Sequence, residues 1–66
     1  MDILLNGQPC LVREGATLDE LLREQGLAGR RVAIEVNGEI VPRGRHAAHA
    51  LQPADRVEVV HALGGG

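Results

Sequence analysis

The dipeptide Asn-Gly occurs twice in this 66-residue chain, at Asn6-Gly7 and Asn37-Gly38. Each copy stands between short runs rich in Ile, Leu and Val. Both residues tolerate the positive φ that a two-residue hairpin turn requires, so each site predicts a β-hairpin. In the first, "DILLNGQPCLVR", alternation puts Met1, Ile3 and Leu5 on one face with Cys10 and Val12 across from them. Leu4 and Leu11 then point the other way. In the second, "RVAIEVNGEIVPR", Val32, Ile34 and Val36 share a face. Pro42 ends the returning strand and marks it as an edge, because proline cannot donate to a ladder.

Between the hairpins lies "ATLDELLREQGL". Leu18, Leu21 and Leu22 form an apolar stripe at helical spacing. Thr17 with Glu20 three residues later has the form of a capping box. Gly26 suits the left-handed position that ends a helix, with Leu27 reaching back to Leu22. The spacing predicts a helix over 18–25, with Asp19 and Arg23 as an i,i+4 ion pair. After the second hairpin, "RGRHAAHALQPADR" has no strand pattern, and residues 47–51 read as a single helical turn before a turn at 53–55. "RVEVVHA" is a last strand with Val57 and Val59 on one face, and Val60 and Ala62 on the other. The order β-β-α-β-β-β describes one α+β domain, a mixed sheet with one main helix packed on one face.

A chain this short needs a staple or very consistent local signals. A single cysteine, Cys10, rules out an internal disulfide and fits a reducing compartment. The N-terminal run is acidic and only three apolar residues long, neither a secretion signal nor a membrane span. The expected location is cytoplasmic. Seven arginines face nine acids, for a net charge of −2, and no aromatic residue is present on which a base could stack. Nucleic-acid binding is therefore poorly supported. The lack of lysine fits a GC-rich genome; it also leaves no side-chain amine for an activated C-terminus to acylate.

No catalytic constellation is visible. His46 and His49 have a spacing that helical structure would bring together, but zinc needs further ligands, and only His61 and Cys10 remain. Solvated histidines are the simpler reading, and Cys10 reads as a small apolar filler. The carboxylates are scattered without a catalytic pair. With the helix covering one face of the sheet, Leu4, Leu11 and Val60 on the other are either scattered surface residues or a docking patch. The sequence closes on "HALGGG", His61 to Gly66. Glycines permit close backbone approach, which a terminus threading a narrow channel to an activating enzyme would need. An unstructured end is the competing reading.

Taken together, the first Asn-Gly hairpin, the "TLDELL" helix, "VNGEIVPR" (Val36 to Arg43) and the closing Gly-Gly resemble the ThiS family over the whole chain. The resemblance implies a ubiquitin-like β-grasp domain over 1–63 and a flexible glycine tail over 64–66. It implies a sulfur carrier of thiamine biosynthesis that acts as a protein co-substrate, is not an enzyme, binds no cofactor and is a monomer when free. An E1-like adenylyltransferase (ThiF type) using ATP and magnesium would activate the Gly66 carboxylate. A persulfide sulfur donor would convert it to a thiocarboxylate, and thiazole synthase (ThiG type) would accept the sulfur. By the same resemblance Gly64 and Gly65 give reach, and Ala62 and Leu63 brace the tail against partners. Leu4, Leu11 and Val60 become a docking patch, and Asn37, Pro42 and Arg43 are motif residues. Pro42 and Arg43 are read first as structural, with Arg43 pairing near the tail. Carriers serving molybdopterin, cysteine or tRNA thiolation, and a β-grasp interaction module that is never activated, are the competing readings.

Overall fold

The computed structural model describes residues 1–61. The first hairpin forms strands β1 (Asp2–Leu5) and β2 (Gln8–Leu11), and the helix α1 runs Leu18–Glu24. The second hairpin forms β3 (Val32–Val36) and β4 (Glu39–Val41). A 3-10 turn at Arg43–Arg45 and a loop lead to β5, Arg56–His61. The strands make one mixed sheet in the order β2-β1-β5-β3-β4. β5 runs parallel to β1 and antiparallel to β3, so the last strand in sequence is the central one.

Both hairpins turn where expected. Asn6 and Gly7 sit at φ 50° and 79°, and Asn37 and Gly38 at 53° and 87°, values open to these residues and strained for most others. In the first hairpin Ile3 pairs with Cys10 and Leu4 with Pro9. Pro9 thus lies on the β2 edge, where its missing N–H denies a donor to an incoming strand. Pro42 plays the same part at the end of β4, the opposite edge.

Thr17 Oγ1 accepts the Glu20 N–H at 3.2 Å, which is half of the predicted capping box. The other half is replaced: Arg13 grips the Glu20 carboxylate with Nε at 2.9 Å from Oε2 and Nη2 at 2.6 Å from Oε1. The helix closes as a Schellman turn. Gly26 N–H reaches the Arg23 carbonyl at 3.1 Å and Leu27 N–H the Leu22 carbonyl at 2.8 Å, with Gly26 at φ 74°. Asp19 and Arg23 pair at 2.7 Å.

The loop after β4 departs from the expected helical turn over 47–51. Its helical turn comes earlier, at Arg43–Arg45, and Ala50 instead forms an antiparallel bridge with Thr17. The cause is the start of α1, whose first N–H groups have no partner within the helix. Leu18 N–H donates to the His49 carbonyl at 3.0 Å and Asp19 N–H to the His46 carbonyl at 3.1 Å. Those carbonyls are spent on capping the main helix. Leu51 packs into the core.

That core lies between α1 and one face of the sheet. Ile3, Leu18, Leu21, Ile34, Leu51 and Val57 are its fully buried side chains, joined by Val12, Leu22, Val36 and Val59. Among the described residues no helix is long and apolar enough to cross a membrane.

β5 is pinned by both turn asparagines. Asn6 sends its backbone N–H to the Val57 carbonyl and receives the Val59 N–H on Oδ1, both at 2.8 Å. Asn37 sends its N–H to the Arg56 carbonyl at 2.8 Å and receives the Arg56 N–H on Oδ1 at 2.9 Å. Asn37 Nδ2 also donates to Asp55 Oδ1 at 3.0 Å, and Asp55 Oδ2 accepts the Gln52 N–H at 2.8 Å. Replacement by glycine keeps each turn but removes the side-chain bonds. Asn37→Gly should cost about 2 kcal/mol and Asn6→Gly about 1 kcal/mol, at roughly 1 kcal/mol per bond. In a domain this small that lowers the melting temperature by about 10 °C and about 5 °C. Two unchanged melting curves would mean that the asparagines serve the turns alone.

The Arg13 hydrogen bonds hold the Glu20 carboxyl below its ordinary pKa, with desolvation opposing them. A depressed folded-state pKa contributes stability that is present above the unfolded value and lost as pH falls through the folded one. The melting temperatures of the wild type and Glu20→Gln should therefore differ by a constant amount near neutrality and converge in acid. A gap that persists at the lowest pH would assign the effect to packing.

Candidate functional site

The face of the sheet opposite α1 is open, and the strand register fixes what it displays. Level with each other across the sheet are Leu11 and Asp2, then Pro9, Leu4 and Arg56. Further along β5 come Glu58 with Glu35 and Ile40, then Val60 with Ala33. Leu11 is 76% exposed, Val60 54% and Leu4 38%, so all three predicted patch residues do face solvent. They do not form one patch. Leu4 pairs with Arg56, and Val60 lies four residues further along β5, roughly 13 Å at 3.3 Å per residue. Leu11 is level with Asp2, about 7 Å from Leu4 in the other direction.

The open face therefore carries two apolar areas. Leu4 and Pro9 border a shallow depression of about 450 Å³ completed by Asp2, Ile3, Pro53 and Ala54, with Leu11 beside it. Val60 and Ala33 form the second, at the end of the sheet where the chain leaves β5, while Ile40 lies on the β4 edge level with Glu35. Ile40, 62% exposed, was not singled out from the sequence. The alternation of "EIVP" before Pro42 held the signal, since Val41 is buried and its neighbour must face outward.

Between the two areas stand Glu35 and Glu58, directly opposite each other on antiparallel strands. Neither forms an ion pair among the described residues. Like charges in that position destabilise a sheet.

The motif residues divide by role. Asn37 is the pin already described, and its carboxylate partner Asp55, 7% exposed, was absent from the sequence-based candidates. Pro42 ends β4, and its carbonyl accepts the Arg45 N–H at 2.8 Å. Arg43 is exposed, and its side chain has no hydrogen bond or ion pair among the described residues. The expected pairing of Arg43 near the tail involves residues that are not described. Ala62, Leu63, Gly64, Gly65 and Gly66 all lie outside the described residues.

The histidines require a correction. His46 is not solvated: it is 5% exposed, and its Nε2–H donates to the Val41 carbonyl at 2.9 Å. The loop that caps α1 folds this ring inward, tying the cap to the edge strand. His49 is half-buried beside Arg45 and Gln52. Cys10 is half-buried against the core. No group of three or more His, Cys, Asp or Glu side chains suited to a metal ion occurs among the described residues.

A family model described as "ThiS family" matches residues 3–66. The chain belongs to the ThiS family. It is 33% identical to the sulfur carrier protein ThiS of Escherichia coli (strain K12), with both chains covered in full. It is 47% identical to a segment of a thiazole synthase from Magnetococcus marinus and 38% identical to a segment of one from Paramagnetospirillum magneticum. In both cases the whole of this chain spans only 20% of the relative's length. A crystal structure of the thiamine biosynthesis protein ThiS from Geobacter metallireducens superposes with a TM-score of 0.86 at 33% identity, covering both chains completely. The fold is thus the ubiquitin-like β-grasp expected from the sequence, with the family's "VNGEIVPR" stretch forming the β3–β4 hairpin and its exit.

The facing glutamates make a prediction about this surface. Glu58→Gln should raise stability by about 0.2–1 kcal/mol at low ionic strength, the usual size of a cross-strand pair effect. The gain should fade in high salt, where exposed charges are screened. Thermal unfolding at two salt concentrations checks this, and a salt-independent change would remove repulsion as its cause.

Proposed function

We propose that this chain is a sulfur carrier whose reacting group is the carboxylate of Gly66. The observation that carries this reading is the family match through residue 66, which takes in the glycines that follow β5. The domain acts as a protein co-substrate, and the enzymes that activate and use it supply the catalytic groups.

A carboxylate resists nucleophilic attack because its leaving group would be an oxide. Attack by a Gly66 oxygen on the α-phosphorus of ATP, bound with magnesium in an E1-like adenylyltransferase, releases pyrophosphate and leaves an acyl-adenylate. A persulfide sulfur then adds to the acyl carbon and AMP departs. Reductive cleavage of the sulfur–sulfur bond by a thiol leaves the thiocarboxylate, an anion and a good nucleophile at neutral pH. Gly64 and Gly65 serve this chemistry by offering no side chain to a narrow channel. Ala62 and Leu63 brace the root of the tail, and Leu4, Leu11 and Val60 contribute apolar area to docking.

Thiazole synthase is the acceptor this reading favours. Two thiazole synthases contain a stretch similar to the whole of this chain, which supports a shared task for the two sequences. The acceptor step returns the carrier as its carboxylate, ready for another cycle.

Intact-mass analysis tests the proposal. After incubation with the adenylyltransferase, ATP and a persulfide source, the mass should increase by the difference between one sulfur and one oxygen. Fragmentation should place that change on Gly66. Deleting Gly66 should abolish the modification without moving the melting temperature. A carrier that stays unmodified beside enzymes proven active on a known substrate would overturn the reading, as would modification elsewhere.

A further inference from the structure

Three arginines gather where the chain leaves the sheet. Val32 pairs with His61, the last residue of β5, and Arg30 and Arg31 immediately precede Val32. On the other side of β3, Arg43 opens the 3-10 turn that follows β4 and borders the same cleft as Val32. Arg30 and Arg43 line one cleft of about 140 Å³, together with Leu22, Leu27 and His46. Arg30, Arg31 and Arg43 are all exposed.

None of the three has a carboxylate partner among the described residues. The side-chain ion pairs there are Arg13 with Glu20 and Arg23 with Asp19. Asp19 is the one acid that borders the cleft, and Arg23 already holds it at 2.7 Å. Positive charge thus collects at one end of a molecule whose net charge is −2. Adjacent like charges repel, so the grouping adds nothing to folding. Guanidinium groups in this state are suited to carboxylates supplied from outside, which they grip in a bidentate fashion.

The reach of the chain identifies where those carboxylates would stand. Five residues follow His61 through Gly66. Fully extended, they span about 17 Å. That exceeds the Debye length of about 8 Å at physiological salt, so the arginines have little direct influence on the charge at an extended Gly66. They sit instead at the rim of any channel that admits the tail. With no aromatic side chain to stack on a base, the protein lacks the companion feature of a single-stranded nucleic-acid site.

We infer that Arg30, Arg31 and Arg43 form a cationic collar that docks on a carboxylate-rich rim around the tail channel of the activating adenylyltransferase. This inference rests on the reading of Gly66 as the reacting end. The collar supplies orientation and encounter rate, as rim charges do, and takes no part in the reaction at the acyl carbon.

The test is ATP–pyrophosphate exchange by the same organism's adenylyltransferase as a function of carrier concentration. The carriers are the wild type, Arg30→Glu with Arg31→Glu, Arg43→Glu, and the Arg30→Lys, Arg31→Lys pair. The charge-reversed carriers should keep the wild-type melting temperature and kcat at saturation. Their KM should rise on the order of tenfold at low salt, and the difference should collapse at high salt. The lysine pair should stay close to wild type. An unchanged KM with wild-type exchange intact overturns the collar and leaves the carrier reading standing. A lower kcat at unchanged KM would also overturn it, by placing the arginines at the reacting centre. No exchange with the wild type, by an enzyme active on another carrier, would instead defeat the carrier reading. Binding of a fluorescent single-stranded oligonucleotide that vanishes on charge reversal would reassign the arginines to nucleic acid.

Discussion

Everything in this fold depends on how the last strand is held. β5 is the final element in sequence and the central one in the sheet, so it fills the slot between the two hairpins. Each hairpin presents that slot with an asparagine whose main-chain N–H and side-chain Oδ1 both bond to β5. The residue that makes the turn possible therefore also sets the depth to which the strand is inserted. A glycine could form the turn but offers no side-chain acceptor, and an aspartate could not supply the amide donor that Asn37 gives to Asp55. The helix then closes the inner face over Val57 and Val59, and the apolar core reinforces a register already fixed by hydrogen bonds.

A second economy appears at the start of the helix. The segment between β4 and β5 has little regular structure, yet it is far from idle. Its His46 and His49 carbonyls satisfy the first N–H groups of α1, its Ala50 bridges Thr17, and its His46 ring returns a hydrogen bond to Val41. One irregular stretch thus ties the helix to the edge strand. This lets a short chain without an internal disulfide place twelve apolar residues in a single buried cluster.

The elements governed by local rules could be read from the sequence. Asn-Gly dictates a tight turn whatever surrounds it, and Leu18, Leu21 and Leu22 have no other way to share a face. Gly26 and Leu27 announced the Schellman ending because that motif needs only neighbours in sequence. The features that escaped are those settled by distant partners. Thr17 and Glu20 promised a full capping box, but Arg13, seven residues from Glu20, claimed the carboxylate. The 47–51 segment has residues compatible with a helical turn, and nothing local says that its carbonyls are needed elsewhere. Asp55 looked like one more turn acid until the hairpin delivered Asn37 to it. On the open face the apolar residues were legible by alternation, but their spacing was not. Register alone separates Leu4 and Leu11 from Val60, and register comes from pairing two strands far apart in sequence.

The same register gives the molecule its polarity. One end of the open face holds Leu4, Leu11 and Pro9, the middle holds the facing acids with Ile40 beside them, and the far end holds Val60 and Ala33. Arg30 and Arg43 lie near the exit of β5 on the side that α1 lines. A partner approaching the middle meets the paired negative charges of Glu35 and Glu58. On the reading proposed above, a partner that engages the far end meets Val60 and Ala33 beside the start of the segment that leads to Gly66. If Gly66 is the reacting end, as proposed, the five residues after His61 need such an arrangement, because they can deliver their end to a buried site only if the domain is held close to the entrance and in one orientation. β5 is bonded to β3 up to His61, to β1 at Arg56 and Val57, and to both asparagines, and under that proposal this anchoring is what would convert docking of the domain into placement of the tail. Without it, each added degree of freedom at the root would enlarge the volume the end explores and lower its effective concentration at the site.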